Sequence, residues 1–285
     1  NAFKVTEQPV PGGTWASGGN TNTGRSNNFA IGTQTANIIS GPQGVTETES
    51  YDGTSWTALS SPSNFGEGRA EGGSAGTATA GIAFGGWEPG ASALNELWNG
   101  SSWTEVGDLS TGRNEMCGFG TSTAAFSAGG GSPDAQVEEW DGTSWTATTS
   151  MNQARKIGGG SGTTTDGLVF GGNPPNTANT ETWNGTAWTE VNNLNTARGR
   201  MAQAGASAAT SMAAGGLAST SPTGVTEAWN GTSWTEVADL SSSRYGKGAP
   251  AGSSSAMIVS NGAPGNVTTT EEFTASLSNQ TITVS

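Results

Sequence analysis

The chain contains six copies of one unit, and this repetition restricts the possible folds more than any other feature of its 285 residues. Each copy has a Glu two residues before an aromatic residue. In five copies a Trp follows that aromatic residue five positions later, and successive Trp residues of this set are 42 to 47 residues apart. A period of this length with several strand-like segments is typical of β-propeller blades. The Glu and aromatic pairs are Glu49/Tyr51, Glu96/Trp98, Glu138/Trp140, Glu181/Trp183, Glu227/Trp229 and Glu271/Phe273.

The sixth copy lacks its second Trp, and the N-terminal region has a spare one. Ser278 stands where that Trp is expected, whereas Trp15 precedes the first copy. An Arg follows Trp15 ten residues later, which is the step that follows most of the other second Trp residues. The segment near Trp15 is therefore predicted to be the last strand of the sixth blade. The repeated Arg residues are Arg25, Arg69, Arg113, Arg155, Arg198 and Arg244.

These features predict an all-β fold, a six-bladed β-propeller with four-stranded antiparallel blades, closed by the N-terminal strand joining the C-terminal blade. One domain is expected over residues 1–285, with residues 1–13 and 274–285 as terminal arms near the closure. In the fifth copy, Asn230-Gly231 predicts a tight hairpin in which both residues have positive φ.

The repeated Glu and Arg are expected to have a structural role, because a residue that occurs once per blade holds each blade together. The Arg side chains are predicted to donate hydrogen bonds to backbone carbonyls or to the Glu carboxylates. The Trp pairs are predicted to form a core between adjacent sheets, with each indole N–H directed at a polar group.

The charge balance restricts the partners. The net charge is −13, and outside the repeated Arg only Lys4, Lys156, Arg200 and Lys247 are basic. The free surface is therefore predicted to be acidic, which disfavours nucleic acid and anionic membrane surfaces. No apolar run is long enough to span a membrane. The single cysteine, Cys117, is predicted to be a buried, inert thiol.

Catalytic motifs are scarce. The chain has no His, which removes the commonest general base and most zinc and copper sites. No cofactor or metal is expected, and a non-enzymatic protein is predicted. The alternative is a carboxylate-based hydrolase, which needs two carboxylates facing one another across a sugar. The sequence pairs none of the acidic residues outside the repeat, which include Glu67, Glu71, Glu88, Glu115, Asp134 and Asp166.

The segments between the second and third strands vary most between copies, and each contains proline. Strand parity places them on one face of the disc together with the links between blades. Trp87 is the only Trp outside the repeat pattern, and Glu88 follows it. An exposed Trp beside a carboxylate is suited to stacking on a sugar ring and bonding its hydroxyls, and packing of Trp87 on an adjacent blade or another subunit is the alternative. The prolines are Pro42, Pro89, Pro133, Pro174, Pro175, Pro222 and Pro264.

As a set, the hydrophobic run with its Gly pair, the Glu and aromatic residue, the later Trp and the downstream Arg resemble the Kelch repeat. The resemblance covers the chain from about Trp15 to Phe273. Two departures stand out: the hairpin before the second Trp is shorter than is usual, and the Gly pair is replaced by Ser40-Gly41-Pro42 and Ser260-Asn261-Gly262 in two copies. The near-copies of Trp229-Asn-Gly-Thr-Ser-Trp-Thr235 are also similar to repeat proteins of marine tailed bacteriophages, especially those infecting cyanobacteria.

The phage resemblance implies a virion protein located on the tail, a fibre or the capsid surface. Its expected partners are other virion subunits and a host-surface glycan, in attachment or in particle decoration. The hydrolase of cell-surface polysaccharide and a secreted bacterial adhesin are the alternatives. Trp87 and Glu88 are the predicted ligand-binding residues.

Overall fold

The computed structural model describes residues 12–132, 134–246 and 249–276, which form an all-β propeller of six four-stranded antiparallel blades. The first strand along the chain, β1 (Gly13–Ser17), belongs to the sixth blade. Blade 1 comprises β2 (Phe29–Thr33), β3 (Ala36–Ser40), β4 (Thr48–Tyr51) and β5 (Trp56–Ala58). Blade 2 comprises β6 (Gly73–Thr77), β7 (Ala80–Phe84), β8 (Asn95–Trp98) and β9 (Trp103–Glu105). Blade 3 comprises β10 (Cys117–Thr121), β11 (Ala124–Ala128), β12 (Val137–Trp140) and β13 (Trp145–Thr148).

The remaining strands complete the circle. Blade 4 comprises β14 (Gly159–Gly162), β15 (Gly167–Phe170), β16 (Thr180–Trp183) and β17 (Trp188–Val191). Blade 5 comprises β18 (Ala202–Ser207), β19 (Thr210–Ala214), β22 (Thr226–Trp229) and β23 (Trp234–Glu236), with the small hairpin β20 (Leu217–Ala218) and β21 (Ser221–Pro222) between its second and third strands. Blade 6 comprises β24 (Ala249–Gly252), β25 (Ala256–Ser260), β26 (Thr270–Ala275) and β1. The innermost strands β2, β6, β10, β14, β18 and β24 contact one another in a ring around the central axis.

The closure of the ring is as predicted. β1 pairs antiparallel with β26, and Trp15 lies directly opposite Phe273. The same register joins the two aromatic residues of the other blades, for example Trp98 and Trp103. The ring centroids of Trp15 and Phe273 are 5.3 Å apart, close to the 5.4 Å between Trp98 and Trp103. Trp15 therefore supplies the aromatic residue that the sixth copy lacks.

The predicted terminal arms, 1–13 and 274–285, lie largely outside the described residues. At their inner ends Gly13 pairs with Ala275 and Thr14 with Thr274. These inner residues belong to the sheet of blade 6, because the last strand continues two residues beyond Phe273.

The core lies between adjacent blades, and the outer-strand Trp of one blade packs on the blade before it. Phe84 of blade 2 contacts Trp145 of blade 3, with ring centroids 4.7 Å apart. The indole of Trp56 donates to Thr270 Oγ1 of blade 6 at 3.1 Å. Trp103 and Trp145 differ from the expectation, since neither Nε1 has a hydrogen-bond partner among the residues described. Buried Cys117 belongs to the core between blades 3 and 4, as predicted.

The hairpin between the third and fourth strands differs from the predicted two-residue turn. Four residues connect Trp98 to Trp103, and only Gly100 among them has a positive φ, at 95°. Asn99 Oδ1 instead accepts hydrogen bonds from the backbone N–H groups of Ser101 and Ser102, both at 2.9 Å. The side chain thus replaces part of the backbone turn, which Asn and Asp both do well. Equivalent turns begin at Asp52, Asp141, Asn184 and Asn230.

The two Asp turns give stability a predicted dependence on pH. Backbone hydrogen bonds, first from Ser55 and then from Thr54, lower the pKa of Asp52, and those from Ser144 and Thr143 lower the pKa of Asp141. A lowered pKa in the folded state contributes stability above the ordinary Asp pKa, and this is lost as the pH falls through the folded value. The D52N/D141N variant, which copies the natural Asn turns, is expected to lose less stability between about pH 5 and pH 2 than the parent protein. Urea unfolding at several pH values measures this, and identical pH profiles would contradict it.

Candidate functional site

One face of the disc, here called the link face, carries the links between blades and the loops between second and third strands. Gly44 N donates to Gly68 O at 2.9 Å and Phe65 N donates to Thr46 O at 2.9 Å, so loop and link are joined by backbone hydrogen bonds. The contacts on this face form three layers, from the rim inward: the repeated ion pairs, a ring of hydrogen bonds and an axial charge cluster.

The repeated Arg lies in the link before each blade and pairs with the repeated Glu on the third strand of that blade. The N–O distances are 2.5 to 2.6 Å in five copies, and both partners are buried. The six pairs are Arg25–Glu49, Arg69–Glu96, Arg113–Glu138, Arg155–Glu181, Arg198–Glu227 and Arg244–Glu271. These side chains are committed to one another, so they are not free to form a ring of ligand sites.

Each pair also binds backbone groups. Arg25 donates to the carbonyl of Gly41 at 2.8 Å, and Glu49 accepts from Asn22 N at 2.8 Å. Burial lowers the pKa of Arg25 and of Arg244, and the carboxylates of Glu49 and Glu271 respectively oppose that shift. The pair therefore holds a link to a blade through both of its charges.

A closed ring of six backbone hydrogen bonds surrounds the axis at the link face. Its members stand two residues after each repeated Arg, and all six have positive φ. Each N–H donates to the carbonyl of the preceding blade's member, with N–O distances from 2.6 to 3.1 Å. The ring runs through Asn27, Glu71, Glu115, Ile157, Arg200 and Gly246. Four of these are neither Gly nor Asn, so the ring holds them in a conformation that such residues rarely adopt.

The side chains of three ring members form an ion-pair cluster across the axis. Arg200, from the link before blade 5, donates to Glu71 at 3.0 Å and to Glu115 at 2.5 Å. Lys156 binds the other oxygen of Glu115 at 2.7 Å. This axial cluster contains Glu71, Glu115, Lys156 and Arg200, with two charges of each sign. Arg200 and Lys156, which were expected on the general surface, are therefore engaged at the axis with an equal number of carboxylates, so the net acidity of the remaining surface is unchanged.

Trp87 lies beside this cluster. Its backbone N–H and carbonyl pair with those of Ala70 at 2.7 and 3.1 Å, and Ala70 precedes Glu71. The side chain is 42% exposed, and it is the one large hydrophobic side chain that is exposed among the described residues. Glu88 is half-buried, and its Oε2 accepts from Gly44 N of the neighbouring loop at 3.2 Å. Trp87 therefore presents an aromatic surface to solvent, whereas Glu88 fixes the loop.

Among the described residues, several of the acidic side chains outside the repeat bind backbone groups of loops or lie in ion pairs. Asp134 Oδ1 accepts from Gln136 N at 2.9 Å, which shapes its own loop. Asp166 lies on the opposite face, where Oδ2 accepts from Ala208 N at 3.3 Å. Glu71 and Glu115 do come together, but both oxygens of Glu115 are in ion pairs with Arg200 and Lys156. Within the described ranges, no group of three or more His, Cys, Asp or Glu is arranged to hold a metal ion.

Comparison of the sequence with protein-family models and with curated proteins does not assign the chain to a family. No protein-family model matches it, and no curated protein is significantly similar to it.

In the described part of the chain, no helix has the length and apolar character needed to cross a bilayer.

Proposed function

We propose that the protein is a non-enzymatic Kelch-type recognition module of a tailed-phage particle, and that its link face contacts a host-surface glycan or a neighbouring virion subunit. The observation that supports this most directly is the exposure of Trp87 on a face that is otherwise held by ion pairs and backbone hydrogen bonds. A rigid aromatic anchor lowers the ordering cost of binding, and exposed Trp residues are frequent hot spots of interfaces.

The charge pattern supports the same proposal. The axial cluster beside Trp87 is neutral as a set, so the centre of the face offers both hydrogen-bond donors and acceptors without a net charge. A neutral glycan or a polar protein surface suits such a centre, whereas nucleic acid requires a basic patch. The biological setting of the proposal rests on the resemblance of the near-copies of Trp229-Asn-Gly-Thr-Ser-Trp-Thr235 to phage repeat proteins.

The ion pairs of Glu115 support a non-enzymatic role over the alternative, which is a hydrolase. A glycosidase needs one carboxylate to give a proton and another to attack or activate water. In Glu71 and Glu115, which are the carboxylates that meet on this face, the oxygens are occupied by Arg200, Lys156 and Asn114.

Replacement of Trp87 by Ala tests the site. If Trp87 is the anchor, W87A is expected to weaken binding about 10-fold or more, with little change in thermal stability because the ring is exposed. Fluorescently labelled protein on a glycan array measures binding, and E105A is the control, since Glu105 is exposed on outer strand β9.

Three outcomes decide between the roles. Binding that is lost in W87A and kept in E105A supports glycan recognition by the link face. Equal binding by both variants contradicts the assignment of Trp87. If the parent protein binds no glycan, a cryo-EM map of the native particle tests the subunit contact, and a link face open to solvent in that map would overturn the proposal.

A further inference from the structure

The face opposite the link face has a central cavity that is unrelated to Trp87. It has a volume of about 280 Å³ and is lined by the inner strands of all six blades. At the other end the axis is crossed by the six-membered hydrogen-bond ring and by Arg200. The cavity, here called the central well, opens at the hairpins between first and second strands.

Among the described residues, those that line the central well include no charged side chain. They consist of Gly backbone with Ser, Thr and Ala side chains, Ile31, Phe119 and Gln203. Because a charge removed from water without a partner is strongly unfavourable, such walls select against ions. Exposed peptide groups and hydroxyls can exchange hydrogen bonds with a neutral polar molecule.

One strand breaks the symmetry of the well, and both of its departures are at residues that line the well. Gln203 on β18 occupies the register position at which the other five inner strands have smaller or cyclic residues. Its Oε1 is buried and has no hydrogen-bond partner among the described residues. The equivalent residues are Ala30, Ser74, Gly118, Gly160 and Pro250.

The second departure is a register shift in the same strand. The pairing of β18 with β19 shifts between Ala204 and Ser207, which makes β18 one residue longer than the longest of the other inner strands. Ala206, in this irregular segment, is exposed and lines the well. β-Bulges of this kind are frequent next to binding sites because they redirect nearby side chains.

We infer that the central well binds a neutral polyhydroxylated molecule about the size of one sugar ring, with the amide of Gln203 as its polar anchor. The volume of about 280 Å³ is just below the usual range for ligand pockets, about 300 to 1,000 Å³, and is too small for a nucleotide or a long oligosaccharide. An amide both donates and accepts, which matches adjacent hydroxyl groups. Because Gln203 Oε1 is buried without a partner, a turn of the side chain toward the well breaks no hydrogen bond of this oxygen and lets a ligand hydroxyl supply one.

Saturation-transfer NMR with D-glucose, D-galactose and myo-inositol as separate probes tests the inference. Two variants define the site: Q203A introduces the residue that blade 1 has at this position, and A206W places a large side chain at the mouth without disturbing the core. Glucuronate is the charged probe, E105A is the control because Glu105 is exposed on outer strand β9, and W87A removes the proposed anchor of the link face. Thermal unfolding verifies that each variant is folded.

The expected result is transfer to at least one neutral probe, a reduction of at least 5-fold in Q203A and in A206W, and an unchanged signal in E105A. Glucuronate is expected to give no transfer. No transfer to any neutral probe, or a signal that A206W leaves intact, would overturn the inference. Loss of the signal in W87A alone would place sugar binding on the link face, so failure of the well and failure of the link-face proposal are distinguishable.

Discussion

E227Q is expected to reduce the free energy of unfolding by roughly 3 to 5 kcal/mol, because it leaves the Arg198 guanidinium buried without a countercharge. Arg198 and Glu227 are both 0% exposed, so water cannot replace the lost carboxylate. The Glu also accepts from Asn195 N at 2.7 Å, and the link before blade 5 would lose part of that anchor. Urea unfolding followed by intrinsic fluorescence measures the change.

The control is E236Q, because Glu236 lies directly opposite Glu227 on the next strand but is exposed. It makes the same chemical change and is expected to shift stability by less than about 0.5 kcal/mol. The double variant R198M/E227M removes both charges and is expected to be less destabilised than E227Q, since no lone charge stays buried. Equal stability of E227Q and E236Q would contradict the structural role of the pair.

Truncation of the chain before Gly18 is expected to have the second large effect. It removes β1 and leaves β26 as an exposed edge strand, since β1 is its only partner on that side. Trp15 would no longer cover Phe273, whose ring is 1% exposed in the intact protein, or donate to Ala238 O at 2.8 Å. An unpaired edge with an apolar side invites pairing with another chain.

The expected outcome is a fall of about 10 °C or more in Tm and self-association that increases with concentration, seen by calorimetry and size-exclusion chromatography. A second truncation, before Gly12, retains β1 and separates the loss of this strand from the loss of the residues that precede it. If the truncation before Gly18 stays monomeric and unfolds at the same temperature as the one before Gly12, closure by β1 does not stabilise the ring.

The sequence predicts the features that recur at a fixed spacing. The blade number, the aromatic pairs and the closure by the strand of Trp15 all follow from residues that are present once per blade. Asn99 shows a limit of such predictions. Asn-Gly indicates a turn, but it does not tell whether Asn99 takes a positive φ or accepts hydrogen bonds through its side chain. The pairing of Trp98 with Trp103 decides this, because it leaves a four-residue loop between them.

The axial residues show the other limit. Glu71, Glu115 and Arg200 occupy the same repeat position in three copies. The residue type at this position varies among the six copies, so no sequence pattern marks the three as neighbours. Their contacts depend on the distance across the axis, which only the assembled ring fixes. Gln203 shows the same limit. A single amide side chain in a strand of small residues does not predict a binding role until the structure places that strand beside the central well. Trp87 was identifiable because it is the Trp that the period does not explain.

The hydrogen-bond ring at residues 27, 71, 115, 157, 200 and 246 also bears on how such a chain can change in evolution. Each of these six residues donates one hydrogen bond and accepts one within the ring. A seventh blade could therefore be added only if one of these hydrogen bonds broke and the whole ring widened. Arg200 would then fall short of the carboxylates it now reaches on the far side. Duplication or loss of a single unit would therefore cost contacts at the axis, and these few central contacts favour a ring of six units.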